Sequence, residues 1–172
     1  MKVVVEGGLE FQLPADATVR KFDADDTHGL SHCMKAVDFI IEWKDRIFFV
    51  EFKDPETPAS RPKDRQKFLK KFLTGQIDSD LKTKYRDSFL YEWGCNRAEN
   101  RINYLVLIAV EGLGPAELLN RTDALKRQLP LMGPFGKEWP RPFVAGCVVL
   151  NVATWNQQLP QFPVKRLTHA DQ

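Results

Sequence analysis

Cysteine is scarce in this chain. Only Cys33, Cys95 and Cys147 occur in 172 residues, widely spaced and without a C-x-x-C pair. That pattern excludes a disulfide framework and a zinc ribbon, and a reducing, cytoplasmic setting fits it best. No apolar run approaches the ~18 residues needed to span a bilayer. The opening Met1-Lys2-Val3-Val4-Val5-Glu6-Gly7-Gly8 is too short and too soon charged for a secretory signal. No P-loop, G-x-G-x-x-G or G-x-S-x-G motif is present, which removes the common nucleotide-binding and serine-hydrolase sites. Histidine is equally sparse. His28 and His32 stand four apart beside Cys33, but no second pair exists to complete a zinc site, and polar packing is the better account of them.

What is present is an ordinary globular composition, 43% hydrophobic and 28% charged. The length suits one domain, placed at residues 1–155, with 156–172 as a polar tail that frays. The net charge of +2 hides an asymmetry. Residues 1–60 carry seven Lys/Arg against twelve Asp/Glu, whereas residues 61–104 carry eleven against six. An acidic stretch beside a basic one is what a metal-dependent enzyme acting on a polyanion needs.

The hydropathy pattern predicts an α/β (α+β) fold with a mixed central sheet flanked by helices. Val3–Val5 and Leu9–Leu13 read as a hairpin across Gly7-Gly8, and Thr18–Phe22 as a further strand. Val37–Trp43 and Ile47–Lys53, rich in Val, Ile and Phe, form a second hairpin turning at Lys44-Asp45. Pro62–Leu73 is helical with Phe68, Leu69, Phe72 and Leu73 on one face. Ser79–Trp93 is a second helix with Leu81, Tyr85, Phe89 and Trp93 recurring every fourth residue. Tyr104–Val110, a helix over Ala116–Leu129 and a strand over Phe143–Val152 complete the chain.

The second hairpin carries the chemistry. With its loop centred between Lys44 and Asp45, paired residues have numbers summing to 89. Glu42 then faces Ile47, Ile40 faces Phe49, and Asp38 faces Glu51. Opposed residues hold their Cβ atoms roughly 4.5–5.5 Å apart, and Lys53 points to the same sheet face as Glu51. Two opposed carboxylates in a partly buried site repel, so positive charge must offset them. Lys53 supplies one charge. A divalent cation such as Mg²⁺, which prefers carboxylate and carbonyl oxygens, would supply two, and Phe52 offers its backbone carbonyl between Glu51 and Lys53. Such a site polarises a phosphodiester and activates water.

Asp38, followed thirteen residues later by Glu51-Phe52-Lys53, resembles the D…E-x-K signature of the PD-(D/E)XK nuclease superfamily, with its restriction-endonuclease-like core. The resemblance covers residues 30–111. It implies Asp38 on one strand, E-x-K on the next, then a helix and a further strand. It also implies metal-dependent hydrolysis of phosphodiesters, with Asp38 and Glu51 as metal ligands and Lys53 positioning the water. Val37 stands where the family has proline. The family's first helix, with its additional acidic residue, is not obvious. Asp25 or Asp26 is the candidate for that residue, with Glu10 behind them. The family's helix after E-x-K often adds a polar or basic side chain, for which Gln66, Lys82 and Lys84 are candidates.

Residues 61–71 contain six cations and one acid. Lys63, Arg65, Lys67, Lys70 and Lys71 are the candidate contacts to nucleic-acid phosphates, with DNA favoured by the resemblance. The chain leaves little room for a separate sequence-reading domain, so specificity would come from DNA structure, a protein partner or a homodimer. The alternative is a catalytically inactive nucleic-acid-binding or scaffold subunit on the same fold.

Overall fold

The structure is a computed structural model that describes residues 1–57 and 60–167, with the Asp25 side chain outside the described set. Two sheets organise it. The smaller has the order β1 (Lys2–Glu6), β2 (Leu9–Leu13), β8 (Val164–Arg166). The larger runs β3 (Thr18–Lys21), β4 (Phe39–Trp43), β5 (Arg46–Lys53), β6 (Arg101–Ile108), β7 (Gly146–Leu150). Its first three strands are antiparallel, while β5, β6 and β7 are parallel. The switch follows from the connections. A two-residue turn can only reverse the chain, whereas α2 (Pro62–Thr74) and α3 (Asp78–Gly94) carry it back between β5 and β6. Helix α4 (Pro115–Gln128) does the same between β6 and β7.

The large sheet is covered on both faces, so its central strands have almost no polar positions. Ile40, Ile47, Phe49, Ile102, Tyr104, Val106 and Cys147 share one core with Phe72 of α2, Leu81 and Tyr85 of α3, and Leu118 and Leu125 of α4. The alternate residues Phe39, Ile41, Phe48, Val50, Phe52, Leu105 and Leu107 pack against Leu9, Phe11 and Leu13 of the small sheet and against Trp155. The tight turns use left-handed backbone where expected, at Gly7 (φ 56°) and at Lys44 (φ 55°).

Several expectations need correction. Residues 156–167 are not a loose tail. Asn151 and Thr154 form a reciprocal cap that starts α5 (Val152–Gln158). Trp155, Phe162 and Val164 are then buried, and the Trp155 indole donates to the Phe162 carbonyl at 2.6 Å. Three apolar anchors outweigh a polar average, and β8 completes the small sheet; residues 168–172 lie outside the described set. Gly29 in left-handed conformation (φ 64°) ends the single turn α1 (Asp25–His28). His28 lies against the rings of Phe22 and Tyr91, tilted to the first and edge-on to the second, while His32 is exposed. Leu73 and Trp93 are more than half exposed rather than on the buried helix faces. In α3 the buried positions are Asp78, Leu81, Tyr85, Ser88 and Glu92. Glu92 takes the place expected of Trp93 because Arg20 and Arg97 each pair with its carboxylate.

Candidate active site

The β4–β5 register follows the sum of 89, with Ile40 opposite Phe49 and Phe39 opposite Val50. Asp38 lies one residue before β4, at the position that continues this ladder toward Glu51. Its backbone is held by β3, since the Phe22 N–H donates to the Asp38 carbonyl at 2.8 Å. Its side chain also closes the ladder, because Oδ2 accepts from the Phe52 N–H at 2.6 Å. In an extended strand the N–H and C=O of one residue point to the same edge, so the Phe52 carbonyl is also directed to the Asp38 side. Val37, its partner by register, donates its N–H to Ser88 Oγ at 3.0 Å instead.

Glu51 is completely buried and Asp38 is 5% exposed. Both share the sheet face packed by α3, and α3 supplies their counter-charge. Lys84 Nζ stands 2.6 Å from Glu51 Oε1 and 3.3 Å from Asp38 Oδ1. Lys53 Nζ lies 2.5 Å from the same Glu51 Oε1. Glu51 Oε2 is buried with no hydrogen-bond partner among the described residues. One helical turn before Lys84, Asp80 pairs with Lys35 at 2.5 Å. The cluster is charge-balanced, with Asp38, Glu51 and Asp80 set against Lys35, Lys53 and Lys84.

Burial, then the charge of Glu51, pushes the Asp38 carboxyl up to about 7, against the pull of Lys84, the Phe52 N–H and Lys53. Burial opposes the charge on Lys84, but Glu51 and Asp38 outweigh it and hold the ammonium above its usual range. Burial also works to raise Asp80, yet Lys35 first, then Lys53 and Lys84, bring it below the usual carboxylate range.

The cluster includes some of the residues expected from sequence. Asp38, Glu51, Lys53 and Lys84 are brought together, and the Phe52 backbone borders them. Among the described contacts, Gln66 and Lys82 do not take part. Gln66 is exposed on α2, and Lys82 is turned away from Lys84 by their two-residue spacing on α3. Asp26 is exposed at the α1 turn, and Glu10 pairs with Lys165 on the small sheet. Lys35 and Asp80 are additions that the motif does not contain, although Asp80 and Lys84 carry the i,i+4 spacing of one helix face. On α2, Lys63, Lys67, Lys70 and Lys71 are exposed and make no ion pair among the described residues. Arg65 instead pairs with Glu56, and Arg61 with Asp64.

Among the described residues no three His, Cys, Asp or Glu side chains are grouped to hold a metal. Two carboxylates are present, and Mg²⁺ commonly uses only one or two, with waters and substrate phosphate oxygens completing its shell. The partnerless Glu51 Oε2, the Asp38 carboxylate and the Phe52 carbonyl are hard oxygen donors of the kind such an ion takes. The residues therefore fit a divalent cation. No protein-family model, no curated protein and no solved structure matches this chain. No described helix is long and apolar enough to cross a membrane.

Proposed function

We propose that the protein is a divalent-metal-dependent nuclease with a restriction-endonuclease-like core, acting on DNA. The observation that carries this reading is the buried pair Asp38–Glu51, brought together by the hairpin ladder with Lys53 on the same carboxylate. Buried like charges at the end of a strand pair work against stability, and such costs gather where function needs them. The order of elements supports the reading too. Asp38 precedes β4, E-x-K ends β5, helices follow, and β6 returns parallel to β5.

Asp38, Glu51 and the Phe52 carbonyl would hold Mg²⁺ or Mn²⁺, which when bound polarises a phosphodiester and lowers the pKa of water. Lys53, 28% exposed at its side chain, reaches from the buried carboxylate toward solvent. It can hold the attacking water and stabilise charge growing on the phosphate. Phe52 and Phe39 are buried in the core on the opposite sheet face, while the pair lies on the face packed by α3. The unpaired lysines of α2 give the DNA backbone a cationic surface.

One observation favours a non-catalytic scaffold instead: Lys84 already bridges both carboxylates, as in a structural ion cluster. Cleavage of plasmid and single-stranded DNA with Mg²⁺ or Mn²⁺ separates the readings. Wild type should cut, and Lys53→Ala should cut ~10²–10³-fold more slowly while still binding Mn²⁺ in a calorimetric titration. A wild type that binds DNA and cuts nothing under either ion establishes the scaffold.

A further inference from the structure

Resting on that nuclease reading, we propose that Lys84 is a built-in rival for the cation position, so that its ammonium must leave the carboxylates before a divalent ion binds them. The geometry is specific. One nitrogen lies within hydrogen-bond distance of both Asp38 Oδ1 and Glu51 Oε1, and together with Lys53 it neutralises the pair. A dication arriving at a neutral cluster gains little attraction and meets two fixed ammonium groups. It gains the full attraction of two carboxylates only when one of those groups withdraws.

Lys84 is the one that stands between the two carboxylates. Lys53 extends from the same strand as Glu51, two residues on, and its position is tied to that strand. Lys84 comes from α3, outside the hairpin, and touches both carboxylates where Lys53 touches Glu51 alone among the described residues. Asp80, one turn earlier on the same helix face and already paired with Lys35, gives the displaced ammonium a carboxylate to share, in the favourable order of acid before base. In the absence of metal, Lys84 keeps the opposed carboxylates compatible with the fold. It thereby sets the metal affinity without being a ligand, which makes it a positioning residue.

The test is calorimetric titration of Mn²⁺ into wild type, Lys84→Gln and Lys84→Arg, all without DNA. Lys84→Gln keeps a hydrogen-bond donor and removes the charge, so it should bind Mn²⁺ at least tenfold more tightly than wild type. Lys84→Arg keeps the charge and should stay near wild type. A merely structural lysine would give the opposite sign, because loosening the site weakens metal binding. Equal or weaker binding by Lys84→Gln overturns the proposal, and if wild type still cleaves DNA the nuclease reading survives it. Absence of Mn²⁺ binding in all three proteins overturns both. Should Lys84→Gln fail to fold, wild type alone decides, through the ¹⁵N resonance of the Lys84 ammonium. Its protected signal should disappear at saturating Mg²⁺, and a signal that persists while Mg²⁺ binds overturns the proposal.

Discussion

Replacing Asp38 by asparagine should stabilise the metal-free protein at neutral pH and abolish a pH dependence that wild type shows. In the folded state burial and Glu51 hold the Asp38 proton up to about pH 7, against an ordinary value of 3.8. Between those limits the folded protein binds more protons than the unfolded chain, so stability falls as pH rises. Each pKa unit corresponds to ~1.4 kcal/mol, which sets a ceiling of ~4 kcal/mol on the loss between pH 4 and 8. Two opposed carboxylates titrate as a pair, so the loss is spread over that range. The substituted amide retains an oxygen for the Phe52 N–H and leaves Lys84 with Glu51, so the mutation removes the repulsion at the cost of the longer 3.3 Å contact from Lys84 to Asp38 Oδ1. We expect Asp38→Asn to gain ~1–3 kcal/mol at pH 8 and roughly a third of that at pH 5, where the unfolded carboxyl is already ionised. For a chain of this size that is a Tm increase of roughly 3–10 °C at the higher pH. Thermal and urea melts in EDTA at pH 5 and 8 measure it. Wild-type stability that rises from pH 5 to 8, or an Asp38→Asn protein less stable than wild type at pH 8, refutes the reasoning.

Two further predictions concern regions away from the pair. Replacing Lys63, Lys67, Lys70 and Lys71 by Ala should weaken DNA binding and flatten its salt dependence, each lost phosphate contact removing ~0.9 from the slope of log K against log salt. Unchanged binding at two salt concentrations would place the DNA surface elsewhere. Phe162→Ala should cost ~3–5 kcal/mol in a urea melt, because Phe162 is fully buried against the rings of Phe11, Trp43 and Phe48. A cost under ~0.5 kcal/mol, the usual surface value, would show that residues 156–167 are peripheral after all.

The sheet is legible wherever apolar alternation meets a local turn. Both hairpins and the continuous run of β6 read directly, because a strand covered on both faces admits little but Val, Ile, Leu and Phe. The C-terminal segment is not legible, since its polar composition conceals anchors whose partners lie on β2 and β5, far away in sequence. The buried face of α3 departs from hydropathy for an electrostatic reason. Hydropathy ranks Trp93 above Glu92, but Arg20 and Arg97 neutralise Glu92 and let it go inside, which rotates Trp93 to 56% exposure.

The site divides along the same line. A hairpin register is a one-dimensional problem: once the turn at Lys44-Asp45 is placed, every cross-strand partner follows, down to Asp38 and Glu51. The approach of a helix is three-dimensional, and sequence offers Gln66, Lys82 and Lys84 on equal terms. Packing chooses among them. Ser88 accepts the Val37 N–H, which fixes its position next to Asp38. Lys84 lies four residues before Ser88 and Asp80 four before that, so all three share one stripe of α3. That stripe meets the segment from Lys35 to Asp38 residue by residue: Asp80 on the Lys35 ammonium, Lys84 on the Asp38 carboxylate, Ser88 on the Val37 amide. The sequence of α3 carries polar series at i, i+4 and i+8 in more than one register, Asp78, Lys82 and Arg86 as well as Asp80, Lys84 and Ser88. Packing alone singles out Lys84 over Lys82, because its series is the one whose middle ammonium reaches the Asp38 and Glu51 carboxylates.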